Sequence, residues 1–533
     1  MSEETKEEVV SETEAQTETA AQPVPETPAA EEKQQSPHSG FWGKVDNFFG
    51  ITKSGSKFKI EIIAGLTTFM AMVYILLVNP AIFTDSLPVM NEAGEVVGAN
   101  PIIPGLSFGA MYVATAIGAI VGTLLMAFLA KMPLAQASGM GVNAFVVYTL
   151  VLSYGLTYAN AMVFTLLDGV IFVILTATGL RKYIFTAIPD EVRKAINVGL
   201  GFFIAFIGFQ NAGVIVGDSA TLVSLVSFNF LADATYGGVI APFVALIGVA
   251  AIAVLSKKNV KGAILWGILG SAALYYILAG LGCAWGDKTC LGIFTAIGNQ
   301  FNFNPLTAFS DWGLQSAGKV FYEGFNFSAY LANNSVSSLV LILITSALSL
   351  CVLDMFDTLG TLYGACSKGN LLDKDGNPMN MNRCMLSDAI ATCVGAMSGT
   401  STVTTFVESS SGVAVGGKTG FTALVTGLCF IVAMFLSPIA QLIPSAATAT
   451  ALIWVGVLMI SSVTHIEWTD PAVALPSFLT IGIMAFGYSI TFGIGIGLIS
   501  TVLVRVCTGK IKTISVVTWI ITALFIATFV LTN

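Results

Sequence analysis

Three acidic residues sit where water should be scarce. Asp354 and Asp357 stand three apart in Val352-Leu353-Asp354-Met355-Phe356-Asp357-Thr358-Leu359-Gly360-Thr361, so one helix face would carry both. Glu408 follows a run in which Thr alternates with apolar residues, Ser401-Thr402-Val403-Thr404-Thr405-Phe406-Val407. A charge at membrane depth costs on the order of 2.5–3.5 kcal/mol even on the mild insertion scale. A carboxyl avoids that cost by holding a proton, which also makes it a proton-linked hydrogen-bonding group. The chemistry expected of Glu408 and the Asp354/Asp357 pair is therefore ligand recognition and proton exchange. Asp168 and Asp388 lie within or near other apolar segments. For these two the expectation is a polar contact between helices.

Other chemistries lack material. The chain has two His, His38 and His465, and its eight Cys show no metal-ligand spacing. No nucleophile–base pattern and no cofactor motif stands out, which argues against an enzyme. Nothing points to nucleic acid. Cys283 and Cys290 share a polar interval and could form a disulfide.

The elements that must position the acids are membrane helices. Of 533 residues, 55% are hydrophobic and 10% charged, far below the charge of a soluble domain. Apolar runs of about twenty residues recur, each able to cross roughly 30 Å of hydrocarbon. Spans are expected at 60–83, 107–130, 137–153, 158–180, 192–215, 238–256 and 261–282. A second set is expected at 336–366, 383–398, 402–417, 420–441 and 446–464, followed by an interrupted apolar stretch over 472–532. The polar interval 283–335 divides the sets. Residues 1–40 read as a disordered acidic tail, which supplies much of the net charge of −8. Residues 41–58, with Phe41, Trp42, Phe48 and Phe49, read as an amphipathic segment at the membrane surface.

Two sets of seven spans, at 59–282 and 336–533, would make an inverted repeat. Lys131, Arg181, Lys182, Arg193, Lys194, Lys257, Lys258 and Lys261 fall between helices that are cytoplasmic if the N-terminus is inside. Loops 84–106 and 216–237 carry no Lys or Arg. Arg505, Lys510 and Lys512 conflict with this orientation on a simple count, unless 472–488 is an additional partial span.

The third segment of each set is irregular. Pro133-Leu134-Ala135-Gln136-Ala137-Ser138-Gly139-Met140-Gly141-Val142-Asn143-Ala144-Phe145 begins weakly, and a helix starting near Asn143 would be half a membrane long. Its counterpart runs from Ser398 to Gly420, strand-like before Glu408 and helix-compatible after it. Broken helices in matching positions of two halves are the sequence sign of a transporter's binding site. Such backbone is tolerated at depth only where protein buries it or a cavity borders it. Two short strands could pair and satisfy the rest. Phe145, next to this half-helix, could stack on a flat ligand.

These residues resemble the AzgA-like purine permeases of the nucleobase–ascorbate transporter superfamily. The resemblance is carried by Gln136–Phe145, Asp354–Leu362 and Gly399–Ala414, with Gly65–Pro80, Ala187–Pro189, Gly208–Gly213 and Lys261–Ala263 in the same order. It implies an all-α polytopic membrane protein of about 14 transmembrane segments in a 7+7 inverted repeat. Core and gate domains, two discontinuous helices with short strands, and often a homodimer belong to that fold. It implies proton-coupled uptake of guanine, hypoxanthine or adenine across the plasma membrane, with the N-terminus cytoplasmic. Carried over, Glu408 would hydrogen-bond the purine, Asp354 and Asp357 would bind substrate and link it to protons, Asn143 would sit at a half-helix tip, and Phe145 would stack. Xanthine, uracil or a small anion on the same fold, or a channel, are the competing readings.

Overall fold

In the computed structural model, residues 40–90, 96–179, 188–218, 220–231, 234–300, 304–374 and 376–531 are described, without the side chains of 87–99 and 296–300. The acidic tail up to residue 39, and Arg181 and Lys182, lie outside the described residues.

In chain order the first helices are α1 (Phe41–Phe49), α2 (Phe58–Met72), α3 (Ile75–Phe83), α4 (Phe108–Leu125), α5 (Met140–Ala144) and α6 (Tyr158–Thr178). Then come α7 (Asp190–Asn211), α8 (Tyr236–Lys257), α9 (Ala263–Ala284), α10 (Lys288–Gln300) and α11 (Pro305–Gln315). The second part holds α12 (Val336–Lys368), α13 (Met381–Ser398), α14 (Ser409–Val415), α15 (Gly420–Met434) and α16 (Ser445–Ile460). It closes with α17 (Pro471–Phe486), α18 (Ile490–Cys507) and α19 (Val516–Leu531). Six short strands pair in twos: β1 (Ser86–Met90) with β2 (Val96–Pro101), β3 (Gln136–Ser138) with β6 (Val403–Thr405), and β4 (Ile215–Asp218) with β5 (Leu222–Leu225).

Among the described residues, nine helices are long and apolar enough to cross a membrane. Polar side chains start several of them. Ser107 accepts a hydrogen bond from the Ala110 amide at 3.2 Å, and Thr157 and Asn160 cap α6 reciprocally. The first span, Phe58–Phe83, is broken at Val73 and Tyr74 into α2 and α3.

The helices pack most densely in two groups. One contains α2, α4, α6, α13, α14 and α15; the other contains α7, α8, α9, α16, α17 and α18. Small residues permit the closest approaches. A Cβ on Gly456 of α16 would lie 2.5 Å from the Gly201 carbonyl of α7, so both positions require glycine.

The basic loops gather on one face. Lys131 Nζ donates to the Phe48 carbonyl at 3.0 Å and Asn380 Nδ2 to the Ala130 carbonyl at 3.1 Å. The Arg505 conflict disappears in three dimensions. α17 and α18 form an antiparallel hairpin, turning at Tyr488 with φ 53°. Arg505 Nη2 then reaches Glu191 Oε1 at 2.8 Å, and Ser477 Oγ donates to the Glu191 carbonyl at 3.3 Å. Residues 471–486 are thus a helix in their own right, and Arg505 returns to the face that holds Arg193.

The interval 283–335 contains helical structure rather than open loop. Trp312 Nε1 of α11 donates to the Ser398 carbonyl at 2.9 Å, and the Ser107 amide donates to Gln315 Oε1 at 2.7 Å. Cys283 and Cys290 are free thiols, so the disulfide that the sequence allows is not formed.

Candidate functional site

The two irregular segments meet. β3 and β6 run antiparallel with Gln136 opposite Thr405, Ala137 opposite Thr404 and Ser138 opposite Val403. The pairing extends at both ends: the Gly139 amide donates to the Thr402 carbonyl at 2.9 Å and the Phe406 amide to the Ala135 carbonyl at 3.1 Å. α5 starts straight after β3 and continues as a π-helical run, Phe145–Ser153; α14 starts straight after Glu408. Three residues per strand are all buried, and the backbone groups that face away from the pair are met by hydroxyls: the Gln136 amide donates to Thr123 Oγ1 at 3.0 Å, and the Val403 amide to Thr392 Oγ1 at 3.2 Å.

Polar side chains fasten this crossing to the surrounding helices. Asp388 of α13 accepts from Gln136 Nε2 at 2.9 Å, from Thr405 Oγ1 at 3.2 Å and from the Thr358 hydroxyl of α12. One carboxylate therefore ties both strands to α12. Asp168 of α6 accepts from Thr402 Oγ1 at 3.0 Å. Ser138 and Thr400 hydroxyls lie 2.7 Å apart, and Asn79 of α3 donates to Thr400 Oγ1 at 3.0 Å. The sequence expects helix-to-helix contacts for Asp168 and Asp388; the Thr358–Asp388 bond is one, whereas Gln136, Thr405 and Thr402 bring these acids to the crossing strands.

The expected site residues separate into three environments. Glu408 is half-buried at the start of α14, and its Oε1 accepts from the Tyr74 hydroxyl at 2.6 Å. Asp357, also half-buried, accepts from Thr404 Oγ1 at 3.3 Å. These two carboxyls and Tyr74 gather around the C-terminal end of β6. Asp354 faces elsewhere: it is fully buried, and neither carboxyl oxygen has a hydrogen-bond partner among the described residues. Asn143 is buried and accepts from the Ser401 hydroxyl, which links the first half-helix to the second crossing segment. Its Nδ2 has no partner among the described residues. Phe145 is fully enclosed in the hydrophobic core, away from open space.

Tyr74 was not singled out from sequence, although it lies within the Gly65–Pro80 motif. The available signal was a phenol in an apolar span, which needs a partner for its hydroxyl. The alternation marks Thr402, Thr404 and Thr405 as strand residues, and their role as donors to three acids appears only once the strand is placed.

A cavity of about 1040 Å³ opens between α7 and α12. Phe356, Leu359 and Tyr363 border it from α12, Arg193 and Asn197 from α7, and Arg383 from the start of α13. Its mouth lies on the face where the basic loops gather.

Apolar spans, paired broken helices and acids at their crossing define a membrane permease. Residues 59–496 match the model of the permease family that includes xanthine and uracil permeases. The chain belongs to this family, the nucleobase–ascorbate transporters. It is 33% identical to the adenine permease AdeP of Escherichia coli over 91% of this chain and 95% of that one. It is 35% identical to the guanine/hypoxanthine permease PbuO of Bacillus subtilis over 87% of this chain and 95% of that one. The guanine/hypoxanthine permease PbuG of the same species is 33% identical, over 91% and 99%. The fold is similar to the transmembrane domain of the cyanobacterial bicarbonate transporter BicA, with TM-score 0.51, 15% identity, and 81% and 96% of the two chains covered. Murine Slc26a9 in the inward-facing state gives TM-score 0.54 at 12% identity, covering 90% of this chain and 74% of that one.

Proposed function

We propose that this permease takes up purine nucleobases together with protons, by alternating access, across the plasma membrane. The observation that carries the reading is the pairing of two half-buried carboxyls, Glu408 and Asp357, beside Tyr74 at the end of β6. A purine is flat, neutral and rich in N–H groups. An ionised carboxylate only accepts, so Glu408 takes N–H donors from the purine edge. Relatives named for adenine and for guanine/hypoxanthine support this class of cargo.

The two acids of α12 divide the work. Asp357 shares the space of Glu408 and contacts the cargo. Asp354, buried without a donor, carries the coupled proton. A neutral purine gains nothing from the membrane potential, whereas a symported proton adds roughly 2.3 kcal/mol per 100 mV. Asn143 holds the first half-helix against Ser401, and Phe145 supports it from the core.

The architecture is a seven-plus-seven repeat. Phe58–Phe83 to Ala263–Ala284 form the first set, and Val336–Lys368 to Ile490–Cys507 the second. Val516–Leu531 is then an added helix. The group holding the strands is the moving core, and the group holding α7 and α16 is the gate. The N-terminus is cytoplasmic, so the cavity along α12 is the inward-open path.

The test is uptake of radiolabelled guanine, hypoxanthine, adenine, xanthine and uracil into transporter-deficient cells, with and without a protonophore, for wild type and Glu408→Gln. Saturable, protonophore-sensitive purine uptake that the variant loses is the expected result. Absence of any nucleobase uptake by protein verified in the membrane overturns it.

A further inference from the structure

The N-terminal helix and the loop after it present one sign of charge. Between Gly40 and Glu61 the charged residues are Lys44, Asp46, Lys53, Lys57, Lys59 and Glu61. All four lysines are exposed, and both acids are buried. Asp46 accepts from the Thr52 amide at 2.8 Å and the Thr52 hydroxyl at 2.6 Å. Glu61 accepts from the Lys418 amide at 3.0 Å and the Thr419 hydroxyl at 2.9 Å. The negative charge is spent inside the fold, and the positive charge faces outward.

The same segment exposes aromatic rings. Phe41, Trp42 and Phe48 are 71%, 55% and 45% exposed. The rest of α1 is clamped across the ends of three apolar helices. Trp42 meets Phe58 of α2 at 5.4 Å between ring centroids; Phe49 meets Phe421 of α15 at 5.6 Å and Phe128, just past α4, at 5.9 Å. Lys131 Nζ sits 4.1 Å from the Phe48 ring centre while bonding its carbonyl, and so fixes that end. A helix held at the ends of membrane spans, with partly exposed rings and exposed lysines, lies where acyl chains give way to headgroups.

We propose that α1 and the Lys53–Lys59 loop form a docking platform for the anionic phospholipid headgroups of the adjoining leaflet. The rings enter the acyl boundary and the four lysines meet lipid phosphates. A polyacidic chain segment would satisfy the lysines but leave the three rings in water, so the rings favour lipid over the acidic residues 3–32 as occupant. The platform rests on α2, α4 and α15, which belong to the helix group that carries β3, β6 and Glu408. Lipid bound there acts on the part of the protein that holds the crossing.

The test uses the full chain purified in detergent, with thermal unfolding followed as phosphatidylglycerol or phosphatidylcholine is added. It needs no transport, so it stands apart from the purine reading. Wild type should gain a higher melting temperature with phosphatidylglycerol than with phosphatidylcholine. Replacing Lys44, Lys53, Lys57 and Lys59 by Gln should remove most of that difference, and replacing them by Arg should keep it. A Gln variant that keeps the full lipid difference overturns the proposal. So does a lipid-specific gain that appears only after residues 1–39 are removed, because the acidic tail would then be the occupant.

Discussion

The two broken segments pair through β3 and β6 and differ in chemistry. The first, 136–153, carries Gln136, Ser138, Asn143 and Phe145 at its start, all buried and formally neutral. The second, 400–415, carries Glu408 half-buried beside Val407, which is 48% exposed. One crossing is sealed and the other is partly open. The first segment directs polar atoms at the second, through Asn143 to Ser401 and Ser138 to Thr400, while the second leaves the Glu408 carboxyl half-buried. Asp388 reinforces both sides equally, since it takes hydrogen bonds from Gln136 and Thr405.

The largest test of that contrast is Glu408→Gln. Removing one charge-assisted hydrogen bond worth about 1.5–3 kcal/mol should cut purine uptake about 10- to 100-fold. The protein should still elute as a folded species, because Tyr74 can donate to the amide oxygen. Unchanged uptake would erase the distinction between the crossings.

Asp388→Ala should do the reverse. Three hydrogen bonds vanish, at roughly 0.6 kcal/mol each in membrane proteins, so thermal unfolding in detergent should show a loss of about 2 kcal/mol. Asp388→Asn should recover part of it. Full stability in the alanine variant would mean that the strand pair does not depend on this hub.

Tyr74→Phe sits between the two. It leaves Glu408 without its phenol donor, and roughly 0.6 kcal/mol corresponds to about a threefold rise in KM for the purine. A change in stability with no change in KM would move Tyr74 from the ligand side to the scaffold.

The smallest effect on transport is expected at Phe145. A ring enclosed in the core tolerates Phe145→Leu at less than about 1.5 kcal/mol, with the order of preferred nucleobases unchanged. Purine affinity that falls while stability holds would show that the ring reaches the cargo, and the first crossing would then be a ligand surface too.

Much of this was readable along the chain. The acids stood out because Asp354, Asp357 and Glu408 interrupt apolar runs, and the breaks showed because Gly, Ser and Thr replace helix periodicity at 136–141 and 398–405. Other features resisted local reading. α17 and α18 look like one apolar stretch with an interruption, and only the ion pair of Arg505 with Glu191 reveals that the chain doubles back. α11 lies in a polar interval whose helical caps are weak signals beside the surrounding spans. Tyr74 resembles any aromatic residue of a membrane helix until Glu408, 334 positions away, arrives beside it.

Sequence alone determined that this chain lives in a membrane and that a few carboxyls stand in or beside its apolar and broken helices. Both follow from local physics, since hydrocarbon tolerates few charges and few unpaired backbone groups. Which carboxyls are fully buried and which are half-buried was decided only by tertiary structure. The register of β3 on β6 joins residues 269 apart, gives Asp388 and Asp168 their hydroxyl partners, and leaves Glu408 and Asp357 half-buried beside Tyr74. Hydrogen-bond satisfaction at that crossing is a property of the assembled pair, and neither segment holds it alone.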